Sequence, residues 1–162
     1  MKKLLLFAAA VAAAALMGWL PARQRDIGSL LPAEVLVLSE SNGVLTLDGG
    51  EKLQGQGRSW QEAMSDLQET APGEAFFGTT AHIILVGDAA EQLEAVLDDR
   101  ALRPAARVYL GMGSPKADEA APYLKTHQGA VTIQQLQAAW LEGELITLPR
   151  LTEREGRYRL LG

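Results

Sequence analysis

The stretch Ile83-Ile84-Leu85-Val86, followed by Asp88 to Leu97 and then by Ala106 to Leu110, decides the fold. Four consecutive apolar residues leave no polar face, so the first run reads as a central strand covered on both sides. Asp88 and Glu91 form a cap pair ahead of Leu93, Val96 and Leu97, which predicts a helix. Pro104 ends any helical continuation, and between Ala106 and Leu110 the residues Val108 and Leu110 share one face of a further strand. Strand, helix, strand is the crossover unit of α/β folds.

Upstream, Val35-Leu36-Val37-Leu38 and Val44-Leu45-Thr46-Leu47 flank Ser41-Asn42-Gly43, two β-rich runs joined by turn chemistry. Asp48-Gly49-Gly50 makes a second turn into Lys52 to Gly57, a glycine-weakened strand suited to a sheet edge. The opening therefore reads as a three-stranded meander. Ser59 and Glu62 pair as a capping box, and Trp60, Ala63, Met64 and Leu67 fall at helical offsets, so they form the buried stripe of a helix ended by Pro72-Gly73.

Downstream, Ser114-Pro115 starts a short helix through Leu124, and Thr132 with Gln135 caps a stronger one. Its stripe of Ile133, Leu136, Trp140 and Leu141 is expected to be buried. Leu145 to Leu151, the Glu155-Gly156 turn and Arg157 to Leu161 read as a closing hairpin or an extended exit strand. The expected fold class is α/β (mixed α+β): a mixed β-sheet covered by amphipathic helices.

Lys2 and Lys3 precede an uncharged run from Leu4 to Leu20, closed by Pro21, Ala22 and Arg23, which is the layout of an export signal. As a helix the run would span roughly 26 Å, a little under the hydrocarbon thickness of a bilayer. Ala22 suits a cleavage site and Leu20 does not, so residues 1–22 form either a signal peptide or a membrane anchor. Residues 23–162 make a single α/β domain on the extracytoplasmic side.

The chain has 162 residues, no cysteine and a net charge of -5. Disulfides and thiolate chemistry are thereby excluded. Acidic and basic residues are interspersed and form no basic stripe that would neutralise phosphates, so no nucleic-acid partner is expected. Gly111-Met112-Gly113-Ser114-Pro115-Lys116 lacks the spacing of a phosphate loop, and Pro115 removes a donor. His82 and His127 have no metal-ligand spacing. Ser59, Ser65 and Ser114 lie outside any Gly-x-Ser-x-Gly elbow. Asp98-Asp99 opposes the dipole of the second helix and marks either a contact surface or a pair neutralised by Arg100 and Arg103. No catalytic residue, metal or cofactor is expected.

The order of short motifs resembles the amino-terminal domain of Ger(x)C proteins, the C subunits of spore germinant receptors. Leu16-Met17-Gly18-Trp19 with Arg25-Asp26-Ile27-Gly28 is similar to that family's lipoprotein start, Leu-x-Gly-Cys-Trp, and the stretch after it. Gly55-Gln56-Gly57, the helix from Trp60, Phe76-Phe77-Gly78 and the strand Ile83 to Val86 resemble its next landmarks. Arg107 to Gly111, Leu148 to Leu151 and Glu155 to Leu160 are similar to the later ones.

The resemblance implies a non-catalytic subunit on the outer face of the spore inner membrane, acting in nutrient-triggered germination with A- and B-type receptor subunits. Its candidate motif or interaction positions are Trp19, Gly55, Gly57, Phe76, Phe77 and Gly78. Three departures stand out. Trp19 directly follows Gly18, so the thiol needed for lipid attachment is missing. Thr79 occupies the place of a frequent family histidine, and the family's later domains have no counterpart in these residues. An exported small-molecule-binding domain and an exported enzyme with an unrecognised site are the competing readings.

Overall fold

Val35, Leu36, Val37 and Leu38 are all buried, and a strand with two apolar faces needs a cover on each. The computed structural model, which describes residues 29–161, provides both covers. The chain runs β1 (Leu30–Pro32), β2 (Val35–Ser41), β3 (Val44–Asp48), β4 (Gln54–Gly57), α1 (Trp60–Thr70), β5 (Glu74–Phe76) and β6 (His82–Val86). It continues through α2 (Leu93–Leu97), β7 (Arg107–Met112), α3 (Ala117–Thr126), α4 (Ile133–Glu142), β8 (Arg150–Arg154) and β9 (Arg157–Leu161).

Seven strands form one mixed sheet in the order β4-β3-β2-β6-β7-β8-β9, while β1 and β5 pair as a small parallel ribbon. The middle strands β2, β6, β7 and β8 are parallel, and an antiparallel partner closes each flank. Tight turns explain those flanks. Asn42 and Gly43 both take positive φ between β2 and β3, as Glu155 and Gly156 do between β8 and β9.

One sheet face carries Leu36, Leu38, Ile83, Leu85 and Val108, which pack with α1, α2 and α4 through Trp60, Leu67, Val96, Ile133 and Leu136. The other carries Val35, Val37, Ile84, Tyr109 and Leu151 against Ala117, Ala120 and Leu124 of α3. Each large aliphatic side chain buried this way stabilises the fold by about 1.5–3 kcal/mol. The meander, the central strand and the crossover match the sequence reading. The chain does close on a hairpin, but its first arm is Arg150–Arg154 and not Leu145 to Leu151, of which residues 145–149 are outside any strand and Leu145 is fully exposed.

Three further local expectations need correction. The predicted second helix is a 3-10 turn, Gly87–Gln92, followed by the five-residue α2, and neither has a side-chain cap. Gly87 leaves β6 at φ +59, and Gln92 Oε1 instead accepts the Trp60 backbone N–H at 3.1 Å. The short third helix begins at Ala117 rather than Ser114, because the Asp48 carboxylate captures its first N–H at 3.0 Å. In α4 the capping box is present, but Trp140 and Leu141 are 62% and 87% exposed. Ala139 turns inward in their place, so the stripe follows Ile133, Leu136 and Ala139.

Among the described residues, no helix is long and apolar enough to cross a membrane. The expected signal or anchor at residues 1–22, with Trp19, lies outside the described residues.

Candidate functional site

Gly55 and Gly57 sit in β4, where α1 lies directly on the strand. A Cβ on Gly55 would overlap the Ala63 carbonyl oxygen, and one on Gly57 would overlap the Ala63 nitrogen and Glu62. The glycines therefore let a helix approach the sheet edge closely enough to bond with it. Gln56 N–H donates to Asp66 Oδ2 at 2.7 Å, Arg58 N–H donates to Glu62 Oε2 at 2.8 Å, and Thr70 Oγ1 donates to Gln54 O at 3.0 Å. Helix side chains thus occupy the edge that another strand would otherwise pair with. These glycines act in packing.

Phe77 is buried in the larger core, while Phe76 is 42% exposed. The Phe76 ring folds over Gly78, where any side chain would strike it. The two halves of the predicted motif thus face different surroundings, and the structure does not bring them together with Gly55 and Gly57 into one cleft.

The Gly111 to Lys116 stretch begins with the last two residues of β7 and continues into the turn before α3, where protein groups already use its donors. Ser114 N–H donates to Glu153 Oε2 at 3.1 Å and Lys116 N–H to the Tyr158 hydroxyl at 3.2 Å. The Gly156 and Ser114 N–H groups hold the Glu153 carboxyl below its usual pKa. With Asp48 at the start of α3, the segment is a capped turn.

His82 and Tyr109 form a buried polar pair on the α3 side of the sheet. Gly129 N–H donates to the Tyr109 oxygen at 3.1 Å, which leaves the hydroxyl proton for His82 Nδ1 at 2.9 Å. Burial pushes the His82 pKa down to about 4, helped by the Arg107 and Arg103 charges, so the ring is a neutral acceptor. Burial likewise raises the Tyr109 pKa. His127, the other histidine, caps α3 and stacks on Tyr123 with ring centroids 4.3 Å apart. Among the described residues, no group of three or more His, Asp or Glu could hold a metal ion.

Asp99 is likewise absorbed into the fold. Its Oδ2 accepts the Trp60 indole N–H at 2.7 Å and its Oδ1 the Ala101 N–H at 2.8 Å. Arg103 turns away, donating from Nε to Thr80 O at 2.7 Å. Asp98 stays exposed and faces a different feature.

That feature is a hollow of about 310 Å³ between α2 and α4, with Leu97, Trp140 and Leu141 as its apolar surface and Glu94 and Asp98 at its rim. Gln137 Nε2 donates to Leu97 O at 2.6 Å and pins the two helices at this point. Large apolar groups bordered by carboxylates have the composition of a docking surface.

The chain matches no family model, no curated protein and no solved structure.

Hydrophobic spacing alone places Trp140 and Leu141 in the core, whereas both are exposed and form this surface. The available signal was that a ten-residue helix already satisfied its inward face with Ile133, Leu136 and Ala139.

Proposed function

We propose that this chain is a non-catalytic, membrane-associated subunit related to germinant-receptor C proteins, acting on the extracytoplasmic side by assembling with A- and B-type receptor subunits. The exposed hollow at Trp140 carries the proposal. A stable interface centres on aromatic and aliphatic anchors, and Trp140 and Leu141 stand exposed on a helix fixed by a capping box and by Gln137. The Glu94 and Asp98 rim selects a partner segment with an apolar centre and basic flanks.

The order of motifs along the chain supplies the family reading, and Leu4 to Leu20 supplies the membrane reading. Gly55 and Gly57, as packing glycines beneath α1, fit a scaffold whose contacts lie elsewhere.

The test is deletion of the gene with its neighbours left intact, followed by measurement of nutrient-triggered spore germination. Slowed or lost germination, restored by the wild-type gene, supports the proposal. Normal germination contradicts it.

A further inference from the structure

The chain is acidic, yet its closing hairpin concentrates positive charge on one face. The β8–β9 register sets Arg154 opposite Arg157, Thr152 opposite Arg159 and Arg150 opposite Leu161. Directly opposed residues point to the same side of the pleat, so all four arginines project together. The reverse face, with Leu151, Tyr158 and Leu160, packs against α3. Glu153 lies on that reverse face, with its carboxylate held by Ser114 and Gly156.

All four arginines are exposed, and among the described residues none is in an ion pair with a carboxylate. Like charges placed directly opposite across a ladder are destabilising, and the Arg154–Arg157 pair carries that penalty. An external anionic surface would relieve it.

Apolar groups border the same face. Met112 is 51% exposed and in register with Thr152, while Leu161, opposite Arg150, is 40% exposed. Guanidinium groups beside protruding apolar side chains match a bilayer surface, where cations meet headgroup phosphates and apolar groups enter the interfacial layer. An acidic polypeptide or a nucleic acid would use the charge and leave Met112 and Leu161 without a role.

We infer that the Arg150/Arg154/Arg157/Arg159 face of the β8–β9 hairpin docks on the headgroups of an anionic lipid bilayer and orients the domain on the membrane. The inference stands apart from the germination proposal, because it concerns lipid contact and not the subunit partner. A domain held in this way would present the Trp140 surface in a defined direction.

The chain's lack of cysteine makes the test direct. The full chain carrying Met112→Cys, labelled with an environment-sensitive fluorophore, is reconstituted in phosphatidylcholine vesicles with or without phosphatidylglycerol, both containing a lipid-borne quencher. Val44→Cys, exposed near the opposite sheet edge, is the control. Circular dichroism verifies the fold of every variant.

The expected result is quenching at Met112 only with phosphatidylglycerol, none at Val44, and reversal in about 1 M salt, where the Debye length falls to about 3 Å. Each of Arg154→Gln, Arg157→Gln and Arg159→Gln should lower the ratio of docked to undocked protein ~5-fold. Equal quenching on neutral and anionic vesicles, or quenching unchanged in the triple variant, would overturn the inference. So would a Met112 label that responds to polyglutamate or duplex DNA and not to anionic lipid.

Discussion

Asp66 Oδ2 accepts the backbone N–H of Gln56 at 2.7 Å, so a helix side chain stands where the next strand of the sheet would have been. The contact depends on Gly55 and Gly57, whose missing side chains admit α1 to the strand backbone. Sequence, packing and edge protection meet at this one place.

Asp66→Ala removes an acceptor from that edge and should lower stability by about 1 kcal/mol. Gly55→Ala forces α1 away from β4 and should cost about 3 kcal/mol, near the upper end for overpacking. Urea denaturation of both variants measures this, and equal effects would refute the packing role given to Gly55.

The Trp60 indole is fully buried and donates to Asp99. Asp99→Ala leaves that donor without its partner and should cost about 1–3 kcal/mol. Asp98→Ala, one residue away and exposed, should stay within about 0.5 kcal/mol. Thermal melts of the pair distinguish the structural carboxylate from the surface one.

His82 gives the fold a pH dependence of predictable sign. Its pKa falls from 6.5 to about 4 on folding, so between those values the unfolded chain binds the extra proton. The stability contribution is complete above pH 6.5 and declines as pH falls toward 4, by at most about 3 kcal/mol at 1.36 kcal/mol per unit. His82→Gln should flatten that part of the stability–pH curve. A slope unchanged by the substitution would contradict the assignment.

Much of this architecture is legible in the sequence because local signals agree with tertiary ones. The Asn42-Gly43 turn, the Thr132 and Gln135 capping box and the two-faced apolar run at Ile83 each have a single good structural solution. The start of α3 was not legible, because its cap comes from Asp48, distant in sequence. Trp140 was misplaced because hydrophobic spacing identifies a helix face and not whether a neighbour covers it. The arginine face depends on strand register, which converts four scattered residues into one surface.

Trp140 and Leu141 are exposed, so Trp140→Ser with Leu141→Ser should leave folding stability within about 0.5 kcal/mol per site. The same changes remove the anchors of the proposed interface, where truncating a central aromatic costs about 2 kcal/mol or more of binding.

The most direct measurement is therefore co-purification of the full chain with co-expressed A- and B-type receptor subunits from detergent-solubilised membranes, wild type against the Trp140→Ser/Leu141→Ser variant. A complex is expected with the wild-type chain, and its loss with an equally folded double variant. No complex with the wild type, or a complex indifferent to both substitutions, would contradict it.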